Sequence, residues 1–306
     1  MTASTPPPGP VPPGTTTHLD STAQLMDQIT VQLSSRLLTA GTRSLRRPHA
    51  DRRHSRPPTL VAVAHGSRDP RARETVLALL DLVRALRPGL PVRLGHIELN
   101  DPPLSGTLAE LRGDAVLVPL LFGRGHHVKH DIPQAVGEAP HLRVRTAAPL
   151  GPHPLLAEAL HSRLAEAGWR TSGRAGGLAR SGVVLASAGS LDPESAADTA
   201  RTAELLSARL GGAPVLPAYA SAAAPTVPEA VSALRAAGRD RIAVASYFTA
   251  PGRFSAQCAD LAPGVAAGPL GAHPALARLV LHRYDEARAA KAAAPGPAGE
   301  PQLASA

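Results

Sequence analysis

The chain has 306 residues, 43% of them hydrophobic, which fits about two ordinary domains with sizeable cores. Its formal net charge is +8, but seven arginines and three aspartates give +4 to residues 1–58 alone. Zinc-finger spacing, interleaved aromatics and a basic recognition helix are absent, so we expect no nucleic-acid partner. With one cysteine, Cys258, no secretory signal and no apolar run near the ~20 residues of a membrane span, we expect a cytoplasmic protein without a membrane partner.

Residues 1–57 are predicted to form a disordered, basic leader. Proline, threonine and glycine dominate residues 1–17, which cannot build a packed core. Residues 19–38 carry apolar side chains at helical spacing, and a basic run follows over 43–56. A transit peptide, which is also poor in acid and rich in arginine and serine, is the alternative to a non-essential leader.

From Thr59 onward, apolar strand patterns alternate strictly with amphipathic helix patterns. The predicted strands of this first part cover 59–64, 91–98, 115–121 and 142–147, and the predicted helices cover 70–86, 103–112, a segment from about 132, and 154–167. Such alternation predicts a parallel sheet with helices on both faces.

Two motifs then recur at a similar distance along the chain. Pro149-Leu-Gly-Pro-His-Pro reappears 120 positions later as Pro269-Leu-Gly-Ala-His-Pro, and Gly66-Ser-Arg-Asp-Pro reappears 123 positions later as Gly189-Ser-Leu-Asp-Pro. We therefore predict an α/β fold of two homologous lobes with a ligand cleft between them. The predicted boundaries are 58–171 for the first lobe, 172–181 for a linker, 182–287 for the second lobe and 288–306 for a disordered tail.

Comparison of the two halves separates scaffold residues from candidates for chemistry. The polar residues of the repeated turns occur in both halves, so we interpret them as turn and helix-capping residues: Ser67, Asp69, Ser190, Asp192, His153 and His273. Three ionisable residues after first-lobe strands instead have apolar counterparts. These pairs are His65 with Ala188, Glu98 with about Ala220, and His127 with Phe254. The fold itself therefore does not require the two histidines and the glutamate.

Two imidazoles and a carboxylate at one sheet edge suit a borderline divalent metal such as Fe, Co, Ni or Zn. The same groups titrate near neutrality and can accept protons from a substrate. Three nearby cations, Arg68, Arg124 and Lys129, are candidates for binding an acidic substrate, with simple solvation as the alternative reading.

Three segments resemble the class II chelatases that act on sirohydrochlorin: Ala-His-Gly-Ser-Arg-Asp-Pro at 64–70, Val-Pro-Leu-Leu-Phe at 118–122, and His-Val-x-x-Asp-Ile-Pro at 127–133. The resemblance implies insertion of Fe²⁺ or Co²⁺ into sirohydrochlorin, on the way to sirohaem or cobalamin. It implies that His65 and His127 hold the metal and that Glu98 acts with them in catalysis. No cofactor beyond the metal is implied.

The resemblance also bears on assembly and on neighbouring residues. Small members of the family pair two lobes as a homodimer, so the long form resembles their fusion, and we expect a monomer with one active site. Arg253 and Tyr247 of the second lobe are then candidate substrate contacts. His126 competes with His127 for the metal role, but the following Val128 favours His127, and His130 is predicted to face solvent.

Two other functions are considered. The chain is alternatively a carrier that binds a metal or tetrapyrrole and hands it on without catalysis. A nucleotide-binding function is disfavoured, since the glycine turns contain neither a Gly-x-Gly-x-x-Gly fingerprint nor a Gly-Lys-Ser/Thr phosphate loop. Among chelatases, the sequence does not separate iron from cobalt or nickel, because imidazole ligands accept all three.

Overall fold

The computed structural model describes residues 57–170 and 177–290. The predicted leader up to residue 56, including its helical pattern at 19–38, lies outside the described residues, as do residues 171–176 and tail residues 291–306. At the edges of these segments the structure differs from the prediction. Ser181 already belongs to a buried strand, and the last helix continues to Ala289 because its final residues are good helix formers.

The first lobe alternates strands and helices. Its elements are β1 Thr59–Ala64, α1 Pro70–Leu86, β2 Val92–His96, α2 Leu104–Glu110, β3 Gly113–Pro119, a π-helical turn His127–Asp131 that runs into α3 Ile132–Gly137, β4 Leu142–Thr146 and α4 Pro154–Glu166. The strands are all parallel, in the order β2-β1-β3-β4.

The second lobe repeats this plan. Its elements are β5 Ser181–Ser187, α5 Pro193–Arg209, β6 Val215–Tyr219, α6 Val227–Ala236, β7 Arg241–Ser246, α7 Arg253–Asp260, β8 Val265–Ala266 and α8 Pro274–Ala289. The order β6-β5-β7-β8 is again parallel throughout. The predicted fold of two homologous α/β lobes is confirmed.

Equivalent helices of the two lobes begin with the same caps. The carboxylates of Asp69 and Asp192 accept the N–H two residues along, at the starts of α1 and α5. The Nδ1 atoms of His153 and His273 do the same for α4 and α8. A side-chain acceptor at this position satisfies an N–H that the helix leaves unpaired, so the predicted capping roles are confirmed.

One hydrophobic core runs through both lobes, which belong to a single compact unit. It joins β1 side chains such as Leu60 to second-lobe side chains such as Leu206 and Leu276. Tyr284 is fully buried in it, and its hydroxyl donates to the Pro58 carbonyl at 2.8 Å. The shared core fixes the two sheets relative to each other. Within the described residues, no helix is long and apolar enough to cross a membrane.

The strand order also determines where a ligand site forms. In the first sheet, β1 lies between β2 and β3, so the chain leaves β1 towards one side and later returns on the other. The loops after β1 and β3 therefore diverge and leave a crevice at the carboxyl ends of these strands, which is the usual ligand position in such sheets.

Candidate metal site between the lobes

Three side chains meet at this crevice: His65 after β1, Glu98 after β2 and His127 at the start of the π-helical turn. Each offers one ligand atom, and these atoms all lie within 4.8 Å of one another. The two imidazole rings stand 4.6 Å apart, nearly perpendicular at 88°. His65 and Glu98 are exposed and His127 is half-buried. The structure thus brings together the three residues that the sequence singled out.

A glycine turn joins the loops that carry His65 and Glu98. Gly66 has φ +105°, and a Cβ there would lie 1.9 Å from the Glu98 carbonyl oxygen. The Glu98 N–H donates to the His65 carbonyl at 2.9 Å, and the Ser67 N–H donates to Asn100 Oδ1 at 2.6 Å. This close approach is available only to glycine, and it holds two of the three ligands in register.

His127 is held from behind by Asp131. Its Nδ1 is hydrogen-bonded to Asp131 Oδ2, one turn along the π-helix, which leaves Nε2 for a ligand. A carboxylate in this position orients the ring and makes it a stronger metal ligand. Neither Asp131 nor Asn100 was predicted. The four-residue spacing from His127 to Asp131 was the available signal, whereas nothing local marks Asn100.

His65 and His127 border a large cavity between the lobes, with a volume of about 960 Å³, whereas Glu98 lines a second, smaller pocket. Residues of both lobes line it, including Arg68 and Arg73 from the first and Phe248, Thr249 and Arg253 from the second. The three arginines are exposed, and none takes part in an ion pair within residues 57–170 and 177–290. Arg73 was not among the predicted substrate-binding residues, because α1 brings it to the cavity only in three dimensions.

A model of the CbiX family matches the chain twice, over residues 59–167 and 182–287, once in each lobe. The chain belongs to the CbiX family. Its two lobes are thus two CbiX repeats in one polypeptide.

Relatives of known name agree with this assignment. The sirohydrochlorin cobaltochelatase of Sulfurisphaera tokodaii is 31% identical over 111 residues, covering 35% of this chain and 91% of the relative. The sirohydrochlorin ferrochelatase of Bacillus subtilis is 28% identical over 184 residues, which cover 57% of this chain and 67% of the relative. In fold, the chain is similar to SirB from Bacillus subtilis with Fe³⁺, with a TM-score of 0.61 at 23% identity over 76% of this chain and 96% of SirB.

Two of the predicted substrate-binding cations of the first CbiX repeat face carboxylates of the second repeat instead. Arg124 binds the nearly buried Asp198 through Nε at 3.0 Å and a terminal nitrogen at 2.7 Å. Lys129 lies 2.6 Å from Asp192 and 2.5 Å from Glu194. The Asp198 carboxylate raises the pKa of Arg124, and those of Asp192 and Glu194 raise the pKa of Lys129.

These ion pairs give both cations an interlobe role. Neither Arg124 nor Lys129 lines the cavity, whereas Arg68, the third predicted cation, does. Substrate binding by Arg124 and Lys129 stays a prediction, and their carboxylate partners leave less charge available for it. The pairs also anchor the π-helical turn, which begins beside Arg124, to the start of α5.

The second repeat's predicted contacts have distinct positions. Tyr247 is buried in the cavity wall, where its hydroxyl is hydrogen-bonded to Thr202 at 2.9 Å and its ring stacks on Phe122 at 4.6 Å. Burial raises the pKa of this tyrosine well above its ordinary value. Tyr247 therefore offers the cavity a ring and not a free hydroxyl. Arg253 is exposed, with its guanidinium 5.4 Å from the centre of the Phe254 ring.

Backbone hydrogen bonds define which residues of the second repeat replace the metal-site residues. Glu98 donates its N–H to the His65 carbonyl, and Ser221 donates its N–H to the Ala188 carbonyl, both at 2.9 Å. Ser221 is therefore the counterpart of Glu98, and the predicted counterpart, Ala220, was wrong by one residue. Serine is polar, but it lacks the charge of a carboxylate.

The error arose from the proline used to align the two halves. The N–H of His96 donates to the Pro102 carbonyl and that of Tyr219 to the Pro225 carbonyl, so Pro102, and not Pro103, corresponds to Pro225. The pairing of His127 with Phe254 agrees with the structure. Lys129 donates to Gly125 and Ala256 donates to Gly252 at equivalent points of the two turns.

Proposed function

We propose that this chain is a sirohydrochlorin chelatase, a lyase that inserts Fe²⁺ or Co²⁺ into sirohydrochlorin in sirohaem or cobalamin biosynthesis. The observation that carries the proposal is the open set of His65, Glu98 and His127 beside a cavity shared by both lobes. The names of the relatives support the reaction and its substrate.

The metal is a substrate in this proposal, and the ligand set suits a transient stay. Two neutral imidazoles and one carboxylate bind first-row divalent cations, and three protein ligands leave coordination positions open for an incoming macrocycle. His65 and Glu98 are exposed, and His65 and His127 line the cavity, so those positions stay accessible to a ligand within it. A closed set of four ligands would instead retain the ion.

The cavity fits the other substrate in size and charge. Its volume of about 960 Å³ lies at the upper end of the range for ligand pockets. Sirohydrochlorin carries many carboxylates, and Arg68, Arg73 and Arg253 place three cations around the cavity without protein carboxylates bound to them among the described residues. Phe248 and the Tyr247 ring offer apolar surface to the macrocycle.

Insertion exchanges two protons for one divalent ion. As the metal leaves His65 and His127 for the four pyrrole nitrogens, the two pyrrole N–H protons must be accepted. We assign this role to Glu98 and the vacated imidazoles, whose ligand atoms lie within 4.8 Å of one another and which can pass the protons to water. The second repeat has Ala188, Ser221 and Phe254 at these positions, so we propose a single active site per chain.

The test is anaerobic incubation of the chain with sirohydrochlorin and Fe²⁺ or Co²⁺ in turn, following the absorption change of insertion. The wild type should turn over many times, and the double variant His65→Ala, His127→Ala should lose about 10²-fold or more of the rate while its circular dichroism is unchanged. The matched control removes two imidazoles outside the cavity lining, His141→Ala and His161→Ala, and should keep the wild-type rate.

Two results would contradict the proposal. Insertion at the wild-type rate by the double variant would refute the assignment of His65 and His127. Tight binding of sirohydrochlorin by the wild type without turnover beyond one equivalent would favour the carrier function.

A further inference from the structure

Two imidazoles outside the ligand set form a second pair at the π-helical turn, with His126 directly before it and His130 within it. The rings of His126 and His130 stand 4.6 Å apart and are tilted by only 33°. Both side chains are exposed, that of His126 by 72%, and His126 also borders the cavity. Nothing in the proposed insertion reaction uses either residue.

The wide turn presents two pairs with the same four-residue spacing. The inner pair, His127 and Asp131, faces His65 and is joined by a hydrogen bond. The outer pair, His126 and His130, has no hydrogen bond from its side chains to any described residue. The nearest carboxylate oxygen to His126 among the described residues is Asp131 Oδ1, 3.8 Å from its Nε2 and beyond hydrogen-bond distance. The outer ring nitrogens are therefore available to a ligand from solvent.

We propose that His126 and His130 form an outer binding site for a borderline divalent cation such as Co²⁺, Ni²⁺ or Zn²⁺, at the mouth of the cavity. Two histidines four residues apart on a helical turn are a recurring metal-binding arrangement. Imidazoles that share one ion at metal–nitrogen distances of about 2.0–2.1 Å hold their rings at a separation similar to the 4.6 Å seen here.

The position of this pair indicates its use. The four imidazole rings form a series that leads to the inner site. The distance between ring centres is 4.6 Å from His130 to His126, 6.2 Å from His126 to His127 and 4.6 Å from His127 to His65. An ion held by two exposed imidazoles gains the Glu98 carboxylate as a third ligand when it moves to the inner set. Its binding free energy is therefore more favourable at the inner set, and the outer pair can deliver the ion inward. The delivery role rests on the proposed chelatase function, whereas the binding of an ion to the outer pair does not.

The test is calorimetric titration of the metal-free full chain with Co²⁺, without tetrapyrrole. The outer double variant His126→Ala, His130→Ala and the inner double variant His65→Ala, His127→Ala should each bind one ion fewer than the wild type. The matched control, His141→Ala with His161→Ala, should bind the wild-type number. All variants keep the histidines of residues 1–56, so ions bound there cancel in the comparison.

A second measurement uses only the wild type, so its result does not depend on whether the variants fold. In a histidine-selective NMR spectrum, Zn²⁺ added beyond the amount that fills the tighter inner set should shift the His126 and His130 imidazole signals together. Unchanged stoichiometry in the outer variant, or Zn²⁺ shifts that omit both rings, would overturn the outer site. Lack of insertion activity together with loss of one ion in the outer variant would refute the chelatase function and support the outer site.

Discussion

The two lobes build the same turn and use it differently. After β1 and after β5, glycines with φ +105° and +93° bring the chain so close to the next loop that a Cβ would lie 1.9 Å from a carbonyl oxygen in each case. The residue before this glycine is ionisable only in the first lobe, where it is His65, whereas the second lobe has Ala188. The close contact is therefore a property of the scaffold, and the histidine is an addition that the scaffold positions.

The turns after β3 and β7 differ more deeply. His127 and Asp131 of the first lobe correspond to Phe254 and Cys258 of the second, at the same spacing. Cys258 is buried in a hydrophobic cluster, and burial raises the pKa of its thiol. The second lobe has thus lost both the ligand and the carboxylate that supports it. Its turn serves as a wall of the cavity, to which Phe254 and Arg253 contribute.

The largest effect is expected from Gly66→Ala. The added methyl group collides with the Glu98 carbonyl and would separate the loops of His65 and Glu98, so we expect a loss of more than about 3 kcal/mol in the free energy of unfolding. Co²⁺ affinity at the inner site should fall with it. Gly189→Ala meets the Ser221 carbonyl at the same distance, and it should cost similar stability while folded protein keeps its Co²⁺ affinity.

Gly89→Ala is the control for backbone conformation alone. Gly89 has φ +82°, but no atom lies within 4 Å of a Cβ built there. Its substitution should cost only about 1 kcal/mol, the price of a left-handed conformation for alanine. Urea unfolding and Co²⁺ titration of the three variants test the comparison. Equal costs for Gly66→Ala and Gly89→Ala would show that the close contact between loops is unimportant.

A smaller effect is expected from Asp131→Asn. The amide can still accept a hydrogen bond from His127, but it lacks the charge that makes the ring a stronger ligand, so the Co²⁺ dissociation constant should rise about 10- to 100-fold. Glu138→Gln, which alters an exposed carboxylate seven residues away, is the matched control and should leave the constant unchanged. Unchanged Co²⁺ affinity in Asp131→Asn would mean that Asp131 has only a structural role.

Sequence patterns predicted most of the fold because the chain repeats itself and its periodicities are strong. The apolar run of β1 and the proline start of α1 gave bounds that match the structure, Thr59–Ala64 and Pro70–Leu86. The end of β3 was placed two residues too far along, since apolar residues continue beyond Pro119 into the loop. Strand pairing, and not hydrophobicity, decides where a strand ends.

The candidate site was predictable in its ligands but not in its support. His65, Glu98 and His127 follow strands, and parallel strands bring such residues to one edge. Charge partners depend on packing between lobes, which no local pattern contains. The sequence around Arg124 and Lys129 therefore showed no carboxylate partner for either residue. In the structure both bind carboxylates near the start of α5, more than sixty residues away.

The smallest effect concerns a feature that both lobes share, the histidine caps. Burial lowers the pKa of His153 and of His273, each with an arginine nearby that acts in the same direction, Arg283 and Arg163 respectively. An unfolded histidine binds a proton near pH 6.5, so below that pH the unfolded chain holds more protons than the folded one. Stability should therefore be fully present above about pH 6.5 and should decline as the pH falls towards the lowered folded values.

Thermal unfolding between pH 7.5 and pH 5 measures this decline, with a change in Tm of roughly 2–4 °C for each kcal/mol lost. The double variant His153→Asn, His273→Asn keeps a capping acceptor without a titrating ring and should flatten the profile. His96, which is buried and whose pKa burial also lowers, should maintain a residual slope. The double variant His153→Ala, His273→Ala loses the capping acceptors themselves and should be less stable than the wild type at every pH. If the asparagine variant kept the wild-type slope, the histidine caps would be excluded as the source of the pH dependence.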